Sequence, residues 1–544
     1  MLRLLDTRRP RLLLILFCLL LWTPGFFTLP PGDRDESRFA QATKQMLETG
    51  DFVRIQNGTE ARNRKPIGIH WLQAPFAAAA RATGIASGNP IWPYRIPSAL
   101  GALASVLATF SIGELLFGRR AALLGAAMLA ASVILTVEAH IAKTDAALVG
   151  SITVAMAVLA RAYVARGTVG AGRAAVFWLA MAVSVLLKGP IGPMVAGLTS
   201  ASLVVLDRRG GWLRALRPAW GLPLMLAAVL PWFVAIGLAT HGQFFAEAIG
   251  GDLGRKLNSG DDAHWGPPGL HLLLLPVLLL PAAAALPGAL RQAWRDRARP
   301  ATRLLLAWIV PSWVVFEAAP TKLPHYTLPL YPALCLLAAA WLLALERTPI
   351  RRWAAATPMV VAVLLGGTLL ALPVLLGDQV WLGVPGALAG LAIAASFTPV
   401  LRRPHGEEQE RWSMLVALAA MPVLYWAGLQ FELPRLQQLW IAPRVAAIVP
   451  PGPFGAVGFA EPSLMFLAGT RTRWLLPAEA ARELASGEVR SLLVARRELP
   501  AVESAALKAG LQPKTVASVT GYNYSRGSSV TVLLLTPGSD LSLR

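Results

Sequence analysis

The constraint that governs this chain is a succession of apolar runs of about 20 residues, repeated from Pro97 to Leu429. Runs of that length match the hydrocarbon thickness of a bilayer as helices. Candidate spans fall near 97–117, 121–138, 146–164, 174–187, 191–206, 222–239, 270–290, 304–318, 328–345, 359–376, 382–397 and 414–429. With a first apolar run at Leu12–Leu29, about thirteen transmembrane helices are expected. The first run resembles a signal peptide but lacks a small-residue cleavage site, so it reads as a retained helix. Hydrophobic residues make up 55% of the 544, which argues against a soluble protein.

The net charge of +20 would suggest nucleic acid in a soluble chain. Here the arginines concentrate in alternate short loops: Arg119–Arg120, Arg161 with Arg173, Arg208–Arg217, Arg291–Arg303, Arg347–Arg352 and Arg402–Arg411. That is an orientation signal, and it marks the cytoplasmic side. The expected partner of the charge is therefore the anionic headgroup surface, not nucleic acid. Cys18 and Cys335 both lie in apolar runs and read as core residues.

The opposite loops hold the unusual residues. The first of them, residues 30–93, contains GDRDESRFAQATKQMLETGDFV and NRKPIGIHWLQ. Glu36–Thr49 has helical spacing, with Phe39, Ala42, Met46 and Leu47 on one face, and predicts a helix lying in the membrane interface. Residues 67–82 are too short and too proline-interrupted to span. The carboxylates Asp33, Asp35, Glu36, Asp145 and Asp252 share this side with Arg64, Lys65, Lys188, Arg255, Lys322, His325 and Tyr326. Each has a plainer reading: acids favour a helix's first turn, and a lone lysine snorkels to headgroups. Lys188 in LLKGPIGP and the run KLPHYTLP at Lys322–Pro329 stand out, because helix breaks at membrane depth line sites rather than face lipid. A face that combines carboxylates with basic groups can hold a phosphate and keep a carboxylate ionised. A transporter of a lipid-linked sugar also needs many helices and polar breaks, but at the midplane.

From residue 431 the texture changes to mixed charged and apolar residues with no spanning run. Val489–Ala495 and Ser528–Thr536 predict strands; 478–485 and 501–509 predict helices. The chain thus divides into a transmembrane domain, residues 1–430, and a small soluble α/β domain, residues 431–544.

These features resemble the GT-C class of polytopic glycosyltransferases, specifically the superfamily of the protein mannosyltransferases and the lipid A aminoarabinose transferases. The residues that carry the resemblance are 33–73, 188–190, 251–256, 264–269 and 322–329. It implies an all-α GT-C membrane fold with a C-terminal periplasmic domain, in a bacterial inner membrane. It implies an inverting, polyprenyl-phosphate-sugar-dependent hexosyl- or pentosyltransferase acting as a monomer on a lipid or glycolipid acceptor, with lipid A or lipopolysaccharide core foremost; a protein or cell-wall glycan acceptor stays open. Residue by residue, it makes Asp35 the catalytic carboxylate with Glu36 beside it. It sets Lys65, Arg255 and the Lys322–Tyr326 run near the donor phosphate. The aminoarabinose transferases carry a glutamate, associated with a metal, where this chain has Arg64. The resemblance therefore fixes no cofactor and leaves a divalent metal open, and Arg64 points to an acidic sugar because arginine pairs bidentately with carboxylates.

Overall fold

The computed structural model describes residues 5–85, 89–165, 169–253, 265–345, 347–402 and 406–538. Among these, nine helices are long and apolar enough to cross a membrane, or ten with one bent pair counted as a span. The first apolar run forms a shorter helix than its length allows, α1 at Pro10–Trp22, after which the chain turns at residues 23–29. The run expected to span at 270–290 is broken into a helix at Leu270–Leu278, a 3-10 turn at Ala282–Ala285 and a helix at Leu286–Arg295. Proline at 276, 281 and 287 accounts for the interruptions, since each removes a backbone donor and crowds the preceding turn.

The first polar loop folds into α2 at Asp35–Thr49, a two-residue hairpin pairing β1 (Gln56–Asn57) with β2 (Glu60–Ala61), and α3 at Gly68–Ala82. The apolar positions Phe39, Ala42 and Met46 are buried as their spacing requires, but so are Ser37, Gln41, Thr43, Lys44 and Gln45. An interfacial helix would leave that polar face to headgroups. Instead the C-terminal domain covers it: Gln41 bonds to Thr470 at 2.8 Å, and the Lys44 ammonium donates to the Phe466 carbonyl at 2.9 Å.

The bundle continues with α4 (Trp92–Phe117), α5 (Arg119–Ala131), α6 (Val133–Ala139), α7 (Asp145–Val164), α8 (Ala171–Lys188), α9 (Ile191–Asp207) and α10 (Pro218–Ala239). Between α5 and α6 the axis bends by 62° at Ser132, and a broken helix of this kind carries polar groups into membrane depth. Helices α4 and α7 approach at their glycines: a Cβ on Gly150 would lie 2.4 Å from the Gly101 carbonyl oxygen. Gly68, at the start of α3, sits against the end of α8 in the same way: a Cβ there would lie 2.6 Å from the Leu186 carbonyl oxygen. These two contacts seat α7 against α4 and the start of α3 against the end of α8.

The tail forms a five-stranded sheet in the order β4-β3-β5-β7-β6, from β3 (Phe454–Val457), β4 (Arg473–Trp474), β5 (Ser491–Ala495), β6 (Lys514–Asn523) and β7 (Ser528–Thr536). Helices at Pro477–Ser486 and Leu499–Lys508 lie near the expected positions. The β3, β4 and β6 strands were not expected. The exposed half of β6 is polar and lacks an apolar alternation, and β3, FGAV, is short and holds a glycine.

Candidate functional site

Five polar side chains from five segments meet under the first loop. Glu138 comes from the end of α6, Lys143 from the loop 140–144, Asp145 from the first turn of α7, Lys188 from the last turn of α8, and His325 from the 3-10 segment Pro324–Leu330. The Lys143 ammonium lies 2.9 Å from Glu138 Oε1 and 3.6 Å from Asp145 Oδ2. Lys188 is hydrogen-bonded to Asp145 Oδ1, and its ammonium lies 5.2 Å from the centre of the Tyr326 ring. His325 Nε2 is 3.6 Å from Asp145 Oδ1, and its Nδ1 is 3.5 Å from the Lys143 ammonium. Burial works against the charge on Lys143, but the Glu138 and Asp145 carboxylates outweigh it and hold the ammonium above the ordinary lysine range. Glu138 Oε2 is buried without a hydrogen-bond partner among the described residues.

Asp35 opens α2 above this group. Its side chain is 54% exposed and lies 3.5 Å from Arg62, whose guanidinium stacks 4.3 Å from the Phe39 ring centre. Desolvation pushes its carboxyl up, but Lys65 and Arg62, with Lys143 and Arg38 behind them, hold it below the usual carboxylate range. Lys65 acts electrostatically on both Asp35 and Asp145, so the first loop and the buried group form one charged site. Among the described residues cations outnumber carboxylates in it five to three: Arg38, Arg62, Lys65, Lys143 and Lys188 against Asp35, Glu138 and Asp145.

Glu36, beside Asp35 in sequence, has a different environment. It is buried and accepts from Arg95 Nε at 2.8 Å, Arg95 Nη2 at 3.0 Å, the Gly32 amide at 2.7 Å and the Ala142 amide at 2.9 Å. Arg95 also donates to the carbonyls of Phe26, Leu29 and Pro30. Glu36 therefore ties the Asp35 loop to the loop that carries Lys143. The same loop is held from α4 by Ser98, which donates to the carbonyls of Ile141 and Lys143, and from α3 by Gln73, which donates to the Ala142 carbonyl. His70 lies in this layer, bonded to Thr43 at 2.8 Å, and burial pushes its imidazole down to about 3, so it stays neutral.

The other expected residues divide. Asp145, Lys188, His325 and Tyr326 join the site. Lys322 is buried and donates to the carbonyls of Gly266 at 3.0 Å and Ala319 at 2.8 Å instead of reaching the cluster. Arg64 is exposed, on the segment between β2 and α3. Arg255 lies outside the described residues, and Asp252 falls in the helical turn Ala246–Leu253. Sequence reading missed Glu138, Arg62 and Arg95. A glutamate at the foot of an apolar run was the one visible signal for Glu138; nothing local marked the others. Among the described residues no group of three or more His, Cys, Asp or Glu side chains could hold a metal ion, and Arg64 puts a cation where the resemblance places a glutamate.

The family model of the dolichyl-phosphate-mannose-protein mannosyltransferases matches residues 64–234. An undecaprenyl phosphate-alpha-4-amino-4-deoxy-L-arabinose arabinosyl transferase of Pectobacterium carotovorum is 28% identical over 61% of this chain; the match spans 58% of the relative, less than two thirds of its length. The protein of the same name from Pseudomonas aeruginosa is 28% identical over 79% of this chain and 74% of its own. Among solved structures, ArnT from Cupriavidus metallidurans bound to undecaprenyl phosphate superposes with a TM-score of 0.74 over 96% of this chain and 97% of that one, at 21% identity. Its apo form gives 0.71 at 22%. At such identity the structures establish the fold, and the family model and the relatives add to it: the chain is similar to the GT-C membrane glycosyltransferases of the superfamily that contains the protein mannosyltransferases and the aminoarabinose transferases.

Proposed function

We propose that the protein transfers a sugar from a polyprenyl-phosphate donor to a lipid or glycolipid acceptor, lipid A or lipopolysaccharide core, at the periplasmic face of a bacterial inner membrane. The observation that carries this reading is the excess of cations over carboxylates around Asp35 and Asp145. In the transfer, an acceptor oxygen attacks the anomeric carbon as the bond to the donor phosphate breaks, with inversion. The phosphate passes from a singly charged diester to a more highly charged leaving group. A surplus of fixed positive charge stabilises that change more than the ground state, which is the condition for lowering the barrier. Lys65 is the phosphate contact; Lys143 and Lys188, engaged with Glu138 and Asp145, supply field and shape. Where the acceptor is a hydroxyl, Asp35 removes its proton. Where it is a phosphate, Asp35 orients the nucleophile and faces the positive charge that develops on the sugar ring. Arg64, exposed beside Lys65, reads the sugar. Glu36 and Lys322, whose polar atoms are taken by the chain's own groups, are structural on this reading.

A donor panel tests it: galacturonate-, glucose-, mannose- and aminopentose-linked polyprenyl phosphates with purified enzyme, products on an outer-membrane lipid acceptor read by mass spectrometry. Lys65→Ala is expected to depress turnover with every donor by roughly tenfold to a hundredfold, the scale of a charge-assisted hydrogen bond of about 1.5–3 kcal/mol. Arg64→Ala is expected to harm the acidic donor most. A wild-type preference for a neutral or amino sugar removes Arg64 from sugar reading, and donor uptake with no glycosyl product sinks the reading as a whole.

The orientation has its own test. Cysteines at Glu60 and Ser504, both exposed, are expected to react with an impermeant thiol reagent in intact spheroplasts, and one at exposed Arg209 is not. The native Cys18 and Cys335 are buried and give little background. Labelling at Arg209 alone inverts the assignment.

A further inference from the structure

The start of α2 is not fixed by its own sequence. Arg34 occupies the cap position and makes no side-chain cap, since a guanidinium offers no acceptor to the helix amides. Arg34 also has φ = 64°, a left-handed conformation that a side-chain-bearing residue adopts only when its surroundings enforce it. The enforcing contacts come from the C-terminal domain, more than 400 residues away in sequence. The Asp33 amide donates to the Tyr524 hydroxyl oxygen at 2.5 Å. The Ser463 hydroxyl donates to the Asp33 carboxylate. The Arg34 guanidinium donates to the Ser525 carbonyl in the turn that joins β6 to β7. Behind them, Asn523 donates to the buried Glu461 at 2.7 Å, which locks the turn to the start of the helix Pro462–Ala468. The same helix is anchored on α2 by Lys44, and the turn after it by Thr470, which accepts from Gln41 and donates to Glu48 at 2.7 Å.

These contacts converge on the two residues immediately before Asp35 and leave Asp35 itself accessible. We propose that the C-terminal domain is a working part of the active site: Ser463 and the turn Asn523–Arg526 clamp Asp33 and Arg34, and so hold the Asp35 carboxylate in register with Lys65 and the buried cluster. Ser463 and Tyr524 are then positioning residues, acting through the backbone of the first loop. The proposal rests on the reading of Asp35 as the carboxylate that faces the acceptor. It assigns the domain more than a covering role, since a cover would need contact with the length of α2 but no grip on its first strained residue.

The test is the double variant Ser463→Ala, Tyr524→Phe in the full-length protein. It removes one donor and one acceptor and no charge. The expected result is a fall in kcat of about tenfold or more with donor KM within about twofold, because a misplacement near 1 Å costs turnover rather than donor contacts. Amide hydrogen exchange across residues 33–38 is expected to quicken about tenfold, while that of the β5 and β7 strands stays at the wild-type rate. Ser463→Thr, which keeps the hydroxyl, is expected to retain activity. Unchanged exchange at 33–38, or faster exchange with wild-type kcat, overturns the proposal. Asp35→Asn is run alongside. If it is inactive and the double variant is fully active, the clamp alone fails. If it is fully active, the reading of Asp35 fails, and the clamp with it.

Discussion

Asp35→Asn is expected to reduce sugar transfer by about 10²-fold or more, the range for a positioned acid–base group, while the protein reaches the membrane in normal amount. The substitution removes charge with almost no change in volume. The side chain is accessible and makes one long ion pair, so its loss leaves little unsatisfied inside the fold. The pH profile carries a second signature. Lys65 and Arg62 hold the Asp35 carboxyl below the usual range against its desolvation, so the group stays ionised until the medium is more acidic than its ordinary value of about pH 4. Lys65→Ala removes a cation that favours the charged form. The carboxyl's affinity for protons then rises, and the acidic limb of kcat/KM moves to higher pH. Residual activity of Asp35→Asn near wild type, or an acidic limb that does not move in Lys65→Ala, removes the carboxylate from the reaction.

The largest loss of stability is expected at its sequence neighbour's partner. Arg95 is 2% exposed, pairs with Glu36, and caps three backbone carbonyls from the turn after α1. Arg95→Met keeps much of the volume but strands a buried carboxylate and those carbonyls together. Breaking a buried pair from one side costs about 3–5 kcal/mol, and a lost network of this size should be visible as a large drop in the thermal midpoint of the detergent-solubilised protein. Glu36→Gln is expected to act in the same direction and more mildly, since the amide still accepts from Arg95. The contrast with Asp35 is the useful part: adjacent acids, one affecting turnover and the other stability. A variant Arg95→Met as stable as wild type would mean that the first loop is held by other means.

The membrane fold was legible early because its signal is local and repeated. Bilayer thickness sets a length, and apolar runs such as 146–164 and 174–187 either meet it or do not; α7 and α8 follow within a few residues. Several charged groups of the candidate site were legible for a related reason, since Asp35, Lys65, Lys188 and His325 are conspicuous as charges or helix breaks in an otherwise apolar chain. What periodicity could not supply was the surroundings of each side chain. Glu36 and Asp35 are indistinguishable as text, and only the approach of Arg95 from α4 separates them. Lys322 and Lys188 both sit at proline-rich breaks, yet one meets carbonyls and the other a carboxylate.

The polar face of α2 makes the same point from the other side. Its composition suits a headgroup layer, and the chain instead covers it with a helix that lies more than 400 residues downstream. Local sequence settles which segments are helices and which of them suit a bilayer, because backbone hydrogen bonding and hydrophobicity act within a few residues. Which carboxylate is left accessible, which is tied down and what holds the accessible one in place depend on partners brought from elsewhere in the chain. Electrostatics and hydrogen bonds act over ångströms in space, so those roles were decided only when the helices packed.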